Sequence, residues 1–118
     1  MKFTDLTSFP HPDPLRARLG DKNWRVYFPN GVGIDIVGGP QYDFQVFKNE
    51  ETGQLYGVDH LYGDGISTFE VASFLHTLSL TEPAQGDLEK LDPEECINTF
   101  NYATIEQVND ILEVASNI

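Results

Sequence analysis

Two runs of alternating apolar residues, separated by Pro29-Asn30-Gly31, constrain this chain more than any other feature. In the first, Trp24, Val26 and Phe28 point one way and Arg25 and Tyr27 the other; in the second, Val32, Ile34 and Ile36 resume the alternation. A period of two belongs to extended strands, and an Asn-Gly pair tolerates the positive φ of a tight hairpin turn. Gly38-Gly39-Pro40 supplies the next turn, Tyr42, Phe44 and Val46 a third strand, and residues 54–58 a short fourth one. This spacing predicts a four-stranded antiparallel meander.

Helix signals lie on either side of those strands. Asp13-Pro14 reads as an N-cap followed by proline in the first helical position, with Gly20 as the stop, so a short helix is expected at 14–19. Ser67-Thr68-Phe69-Glu70 has the form of a capping box, and Val71, Phe74, Leu75 and Leu78 then recur at helical spacing over 68–78. Asp92-Pro93-Glu94-Glu95 repeats the cap-plus-proline signal. Thr104-Ile105-Glu106-Gln107 is a second capping box, opening a helix over 105–116 with a buried stripe of Ile105, Val108, Leu112 and Ala115. Residues 1–12 lack periodicity and read as an arm held by Phe3, Leu6 and Phe9. The expectation is one α+β domain over 1–118: a four-stranded meander with three to four short helices packed on one face.

The chain of 118 residues fits a single domain, and its 14 aromatic residues suffice for a core. It has no apolar run of membrane-spanning length and no apolar signal segment near Met1. Cys96 is the only cysteine, which excludes an internal disulfide and points to a reducing, cytoplasmic setting.

Most motifs of catalysis start here and break off. Gly31-Val32-Gly33-Ile34-Asp35-Ile36 opens like a phosphate-cradling glycine run, but Ile36 stands at the third glycine position and a hairpin replaces the strand-to-helix context. Residues 59–70 have the length of a calcium loop, yet Leu61, Gly63 and Asp64 occupy positions that need oxygen donors or the turn glycine. His11, His60 and His76 show no zinc-ligand spacing, although Asp59, His60 and Asp64 share one loop. Ser67, Ser73 and Ser79 lack a glycine-flanked elbow, and Cys96 sits among acids that discourage a thiolate. The expectation is a non-enzymatic chain with no cofactor and no resident metal.

Charge is the feature that remains. Residues 1–30 hold five bases and three acids, a net of +2, whereas residues 31–118 hold 16 acids against Lys48 and Lys90, a net of −14. Such a field repels nucleic acid and anionic lipid and attracts basic protein surfaces. The acids of the last third are Asp87, Glu89, Asp92, Glu94, Glu95, Glu106, Asp110 and Glu113, preceded by Glu82, with Lys90 alone among them. Glu106, Asp110 and Glu113 fall on one face of the last helix, where like charges cost roughly 0.2–0.5 kcal/mol per pair. A basic partner accounts for that arrangement; so does acidity kept for solubility or for a salty environment.

The stretch over residues 24–37, with Tyr27-Phe28-Pro29-Asn30-Gly31-Val32-Gly33 at its centre, resembles a hairpin of small uncharacterised phage and prophage proteins. There an aromatic-Asn-Gly-aromatic-Gly core precedes another strand and a short helix; Val32 here replaces the second aromatic residue. The resemblance covers roughly residues 24–75 and carries no catalytic residues. It implies a mobile-element setting, where acidic proteins of this size include DNA mimics, anti-restriction and anti-CRISPR proteins, and toxin-immunity proteins. The leading expectation is an inhibitor whose eight carboxylates dock on a basic, nucleic-acid-binding host protein. Two others stand beside it. One is an accessory subunit or homodimer assembling through apolar surface, by the N-terminal arm or the fourth strand edge. The other is a small metal-binding enzyme using the loop 59–65.

Overall fold

In the computed structural model the chain is described at every residue except Asp59, and for the backbone alone at Gln45, Val58 and Pro93. The elements in chain order are β1 (Phe9–Pro10), α1 (Pro14–Arg18), β2 (Lys22–Tyr27), β3 (Val32–Gly38), β4 (Gln45–Lys48), β5 (Leu55–Val58), β6 (Thr68–Leu75), β7 (Ala84–Gln85), β8 (Asn98–Thr104) and α2 (Ile105–Ser116). The fold is α+β, as the sequence predicts, but among the described residues the main sheet has six strands rather than four. Its order is β1-β2-β3-β6-β8, and β7 pairs with β2 beyond the short β1. Every pairing is antiparallel.

The first hairpin stands where the alternation puts it, with Val26 opposite Ile34 and Trp24 opposite Ile36. Its turn differs from a two-residue Asn-Gly turn. Phe28 N–H donates to the Val32 carbonyl at 2.9 Å, and Gly31 alone takes a positive φ, +86°. The result is a three-residue loop that ends on a glycine bulge. Asn30 instead anchors the turn to the C-terminal end of α2, its Nδ2 donating to the Ala115 carbonyl at 2.7 Å.

The expected meander does not continue past β3. Residues 40–42 form a 3-10 turn rather than the start of a third strand, and β4 and β5 pair only with each other as a separate ribbon. The place beside β3 belongs to β6, in the segment where helical spacing predicts a helix over 68–78. The reason lies in burial on both sides. Phe69 and Val71 join the helix-side core, while Phe74 turns to the opposite face, edge-on to Tyr27 at 5.6 Å. A central strand covered on both faces shows apolar residues without strict alternation, and that pattern imitates a helix. The expected Ser67–Glu70 capping box is absent. Asp64 accepts the Ile66, Ser67 and Thr68 amides instead, and Glu70 accepts the Tyr62 amide.

Among the described residues two α-helices form, against the three or four expected. α1 has Asp13 as its cap, accepting from the Leu15 amide at 2.9 Å, and Gly20 follows at φ +95°. α2 carries the predicted capping box of Thr104 and Gln107 and buries Val108, Leu112 and Ala115; Ile105 stays exposed. Asp92-Pro93 yields only a 3-10 turn over Pro93–Glu95. The N-terminal residues are held against the domain: the Phe3 ring packs tilted against Trp24 and Phe69, Leu6 is buried, and β1 pairs with β2.

The core lies between α2 and one face of the sheet, built from Trp24, Val26, Phe28, Ile34, Ile36, Phe69 and Val71 against Val108, Leu112 and Ala115. The loop over 60–67 closes on the sheet through glycines. A Cβ on Gly63 would lie 2.4 Å from the Phe69 Cα, where only backbone could give way. Gly63→Ala is therefore expected to cost at least about 2–3 kcal/mol. Urea denaturation checks this; a midpoint unchanged from the parent chain would show that the loop does not close so tightly.

Candidate functional site

β2 places Arg25 and Tyr27 on the sheet face opposite the helix, as the alternation sets them apart from Trp24 and Val26. Both are buried. Arg25 Nε donates to Asp35 Oδ1 at 2.8 Å, and its Nη1 donates to Asp87 Oδ1 at 2.7 Å and to the Glu89 carbonyl at 3.2 Å. Asn23 Nδ2 donates to the same Asp35 oxygen at 2.8 Å. The Tyr27 hydroxyl accepts the Glu89 amide at 3.2 Å. Burial pulls the guanidinium pKa down, but hydrogen bonds to Tyr27 and Asp35 more than offset it, so the group stays charged. The ring of Phe9 covers the guanidinium at 5.5 Å.

This network explains part of the acidic run. After β7 the chain crosses the Arg25 face to reach β8 at the far edge of the sheet. Asp87 and the Glu89 backbone are the tethers of that crossing, and Asp87 is already ion-paired. Asp92, Glu94 and Glu95 follow on the same crossing and are exposed, with the Asp92 side chain accepting the Glu94 amide. Cys96 is half-buried rather than part of the core cluster. Burial and then the Asp35 charge push its thiol upward, so it is a poor nucleophile.

Glu106, Asp110 and Glu113 stand on α2, across the sheet from Arg25, and all three are exposed. Asp87 and Glu89 thus lie over Arg25, whereas Glu106, Asp110 and Glu113 stand on the helix side of the sheet. None of the three on α2 is ion-paired among the described residues. They flank a hollow of about 500 Å³ that Met1 and Lys2 also line, so positive charge reaches this face from outside the helix. The Phe3 amide, donating to Asn109 Oδ1 at 2.7 Å, holds the N-terminus there.

Of the metal-loop candidates, Asp59 lies outside the described residues. His60 stacks edge-on to Tyr62 at 4.6 Å. Asp64 is committed to the backbone: the Ile66, Thr68 and Ser67 amides hold its carboxyl well below the usual range. Among the described residues no three His, Cys, Asp or Glu side chains gather in a metal-binding group. The glycine run is a structural device, with Gly31 in the turn and Gly33 under the Phe74 ring. His76 Nε2 lies 2.7 Å from the Phe28 carbonyl, bracing the hairpin from below. No helix among the described residues is long and apolar enough to cross a membrane.

Comparison with protein-family models, curated proteins and solved structures finds no match.

His11 supplies a pH-dependent element at the start of α1. Its Nδ1 accepts the Asp13 amide at 3.0 Å, and burial, followed by the Arg16 charge, pushes its pKa below 6.5. The unfolded chain then takes up this proton first, so stability is full above that value and declines as pH falls through the folded pKa. His11→Gln is expected to flatten the decline in stability as pH falls below 6.5, read by thermal melts over the acid range. A slope identical to that of the parent would contradict this assignment.

Proposed function

We propose that this chain is a non-catalytic acidic binding protein, an inhibitor that docks carboxylates on a basic protein surface of the kind that otherwise holds nucleic acid. The observation behind it is the exposed row of Glu106, Asp110 and Glu113, like charges on one helix face with no ion pair among the described residues. An arrangement that costs folding energy is explained when a cationic partner relieves it. The −14 charge beyond residue 30 steers such a partner and repels nucleic acid itself. The hairpin resemblance adds a setting, a phage anti-defence or immunity protein in the cytoplasm.

The test is capture from lysate at low and high salt, followed by titration with the purified partner. Changing Glu106, Asp110 and Glu113 to Lys together is expected to weaken binding more than about tenfold without unfolding the chain, because all three are exposed. Binding that survives both the triple change and about 0.5 M salt would overturn the reading.

One observation favours a second reading, assembly through apolar surface. The β4–β5 ribbon exposes Val46 and Leu55, and Phe44 just before it, with Phe47 stacked on Tyr56 at 5.8 Å. A salt-insensitive homodimer in sedimentation, lost in Phe44→Ser/Leu55→Ser, would support it; a monomer at all concentrations would remove it.

A further inference from the structure

α2 carries more apolar surface than the core covers. Val108, Leu112 and Ala115 face the sheet, while Ile111 and Val114, with Ile118 just beyond the helix end, form a second stripe one step around. Val114 and Ile118 remain 64% and 75% exposed. That stripe walls a groove whose other side is β8, the last strand of the sheet, with Ile97 and Phe100, and whose end is Leu75 of β6. The groove comprises two adjoining cavities of about 440 and 520 Å³, which share Phe100, Asp110 and Ile111. It follows α2 from Gln107 to Ala115, about 12 Å at 1.5 Å per residue.

We propose that this groove receives an amphipathic, basic helix of a partner protein, which packs beside α2 on the part of the sheet left open. The inference rests on the acidic-docking reading above and supplies its apolar half. Charge complementarity selects the occupant. Asp110 lines both cavities, neither of which is lined by Lys or Arg, and Glu106 and Glu113 follow on the adjoining face of α2, where three acids outnumber Lys2 and the N-terminus. A helix lying 8–10 Å from α2 places its apolar stripe on Val114 and Phe100 and its flanking Lys or Arg side chains against these carboxylates. A second copy of the chain fits poorly, since it brings a further net charge of −12. The covering of apolar surface supplies affinity, and the acids select for base-flanked helices.

The experiment titrates isotope-labelled protein with a synthetic amphipathic Leu/Lys helix of about four turns. The controls are a scrambled peptide of the same composition and a Leu/Glu helix of the same pattern. The expected result is saturable binding with shifts at Ile97, Phe100, Ile111 and Val114, and at least tenfold weaker binding of both controls. Val114→Gln/Leu75→Ser, at exposed positions, is expected to weaken binding at least tenfold with unchanged circular dichroism. Asp110→Asn is expected to weaken it several-fold and to reduce its salt dependence. Equal binding of the scrambled peptide, or indifference to Val114→Gln/Leu75→Ser, would remove the groove and leave acidic docking standing. Equal, salt-insensitive binding of the Leu/Glu helix would remove the basic occupant and the acidic-docking reading with it. Absence of saturable binding, or groove shifts on self-association alone, also overturns the proposal.

Discussion

Arg25→Met is expected to destabilise the fold by about 3–5 kcal/mol, because it leaves the Asp35 carboxylate buried without its cation. Asn23 would remain as the only side-chain donor shown to reach that oxygen. Asp87→Ala, by contrast, removes a half-exposed partner and should cost no more than about 1 kcal/mol. The double variant Arg25→Met/Asp35→Leu is expected to be more stable than Arg25→Met alone, since no unpaired charge remains inside. Urea denaturation of the parent chain, Arg25→Met, Asp35→Leu and the double variant measures the cycle, with Asp87→Ala measured beside them. Hydrogen exchange should show faster opening over residues 86–91 in Arg25→Met, because the crossing loses its bonds at Asp87 and Glu89. A loss below about 1 kcal/mol for Arg25→Met would mean the network is solvated rather than buried.

Phe69→Ala is the second large effect, about 3–5 kcal/mol. Its ring is 1% exposed and meets Phe3 at 4.7 Å and Trp24 at 5.5 Å, so truncation opens a cavity between the N-terminal turn and the sheet. The same experiment separates strand from helix over this segment. In a helix over 68–78, Phe69 would sit at the first turn away from the Val71/Phe74/Leu75/Leu78 stripe, and Leu75 would be core. In the strand, Phe69 is core and Leu75 is 64% exposed. Leu75→Ser should therefore change the unfolding midpoint little, within about 0.5 kcal/mol. A costly Leu75→Ser with a mild Phe69→Ala would reverse the assignment of β6.

Local chemistry made several elements legible. The β2–β3 register follows from alternation that puts Trp24, Val26, Ile34 and Ile36 on one side. Both helices carry their caps in sequence, Asp13 for α1 and the Thr104/Gln107 box for α2. β8 carries no such local signal: Asn98-Thr99-Phe100-Asn101-Tyr102 is exposed at a sheet edge, with a bulge opposite Glu70 and Tyr102 at φ +55°. An edge strand with one half-open face has little apolar signal to read. At the candidate site, the α2 acids were legible as one face because helical spacing alone decides it. The separation of Asp87 and Glu89 from the α2 acids, and the Arg25–Asp35 pair beneath those two, were not.

What the sequence determined by itself is what depends on neighbours a few residues away: the α+β class, the first hairpin, the two capped helices and the acidic surplus after residue 30. Tertiary structure alone decided that β6 is a strand, that Arg25 is interior and that Asp87 is a tether. It also decided that α2 leaves a groove beside β8. Each of these turns on which surface covers a given face, and that is set by pairings between residues tens of positions apart. A periodicity records that a residue is covered, not by what, and a strand covered on both faces loses even the period.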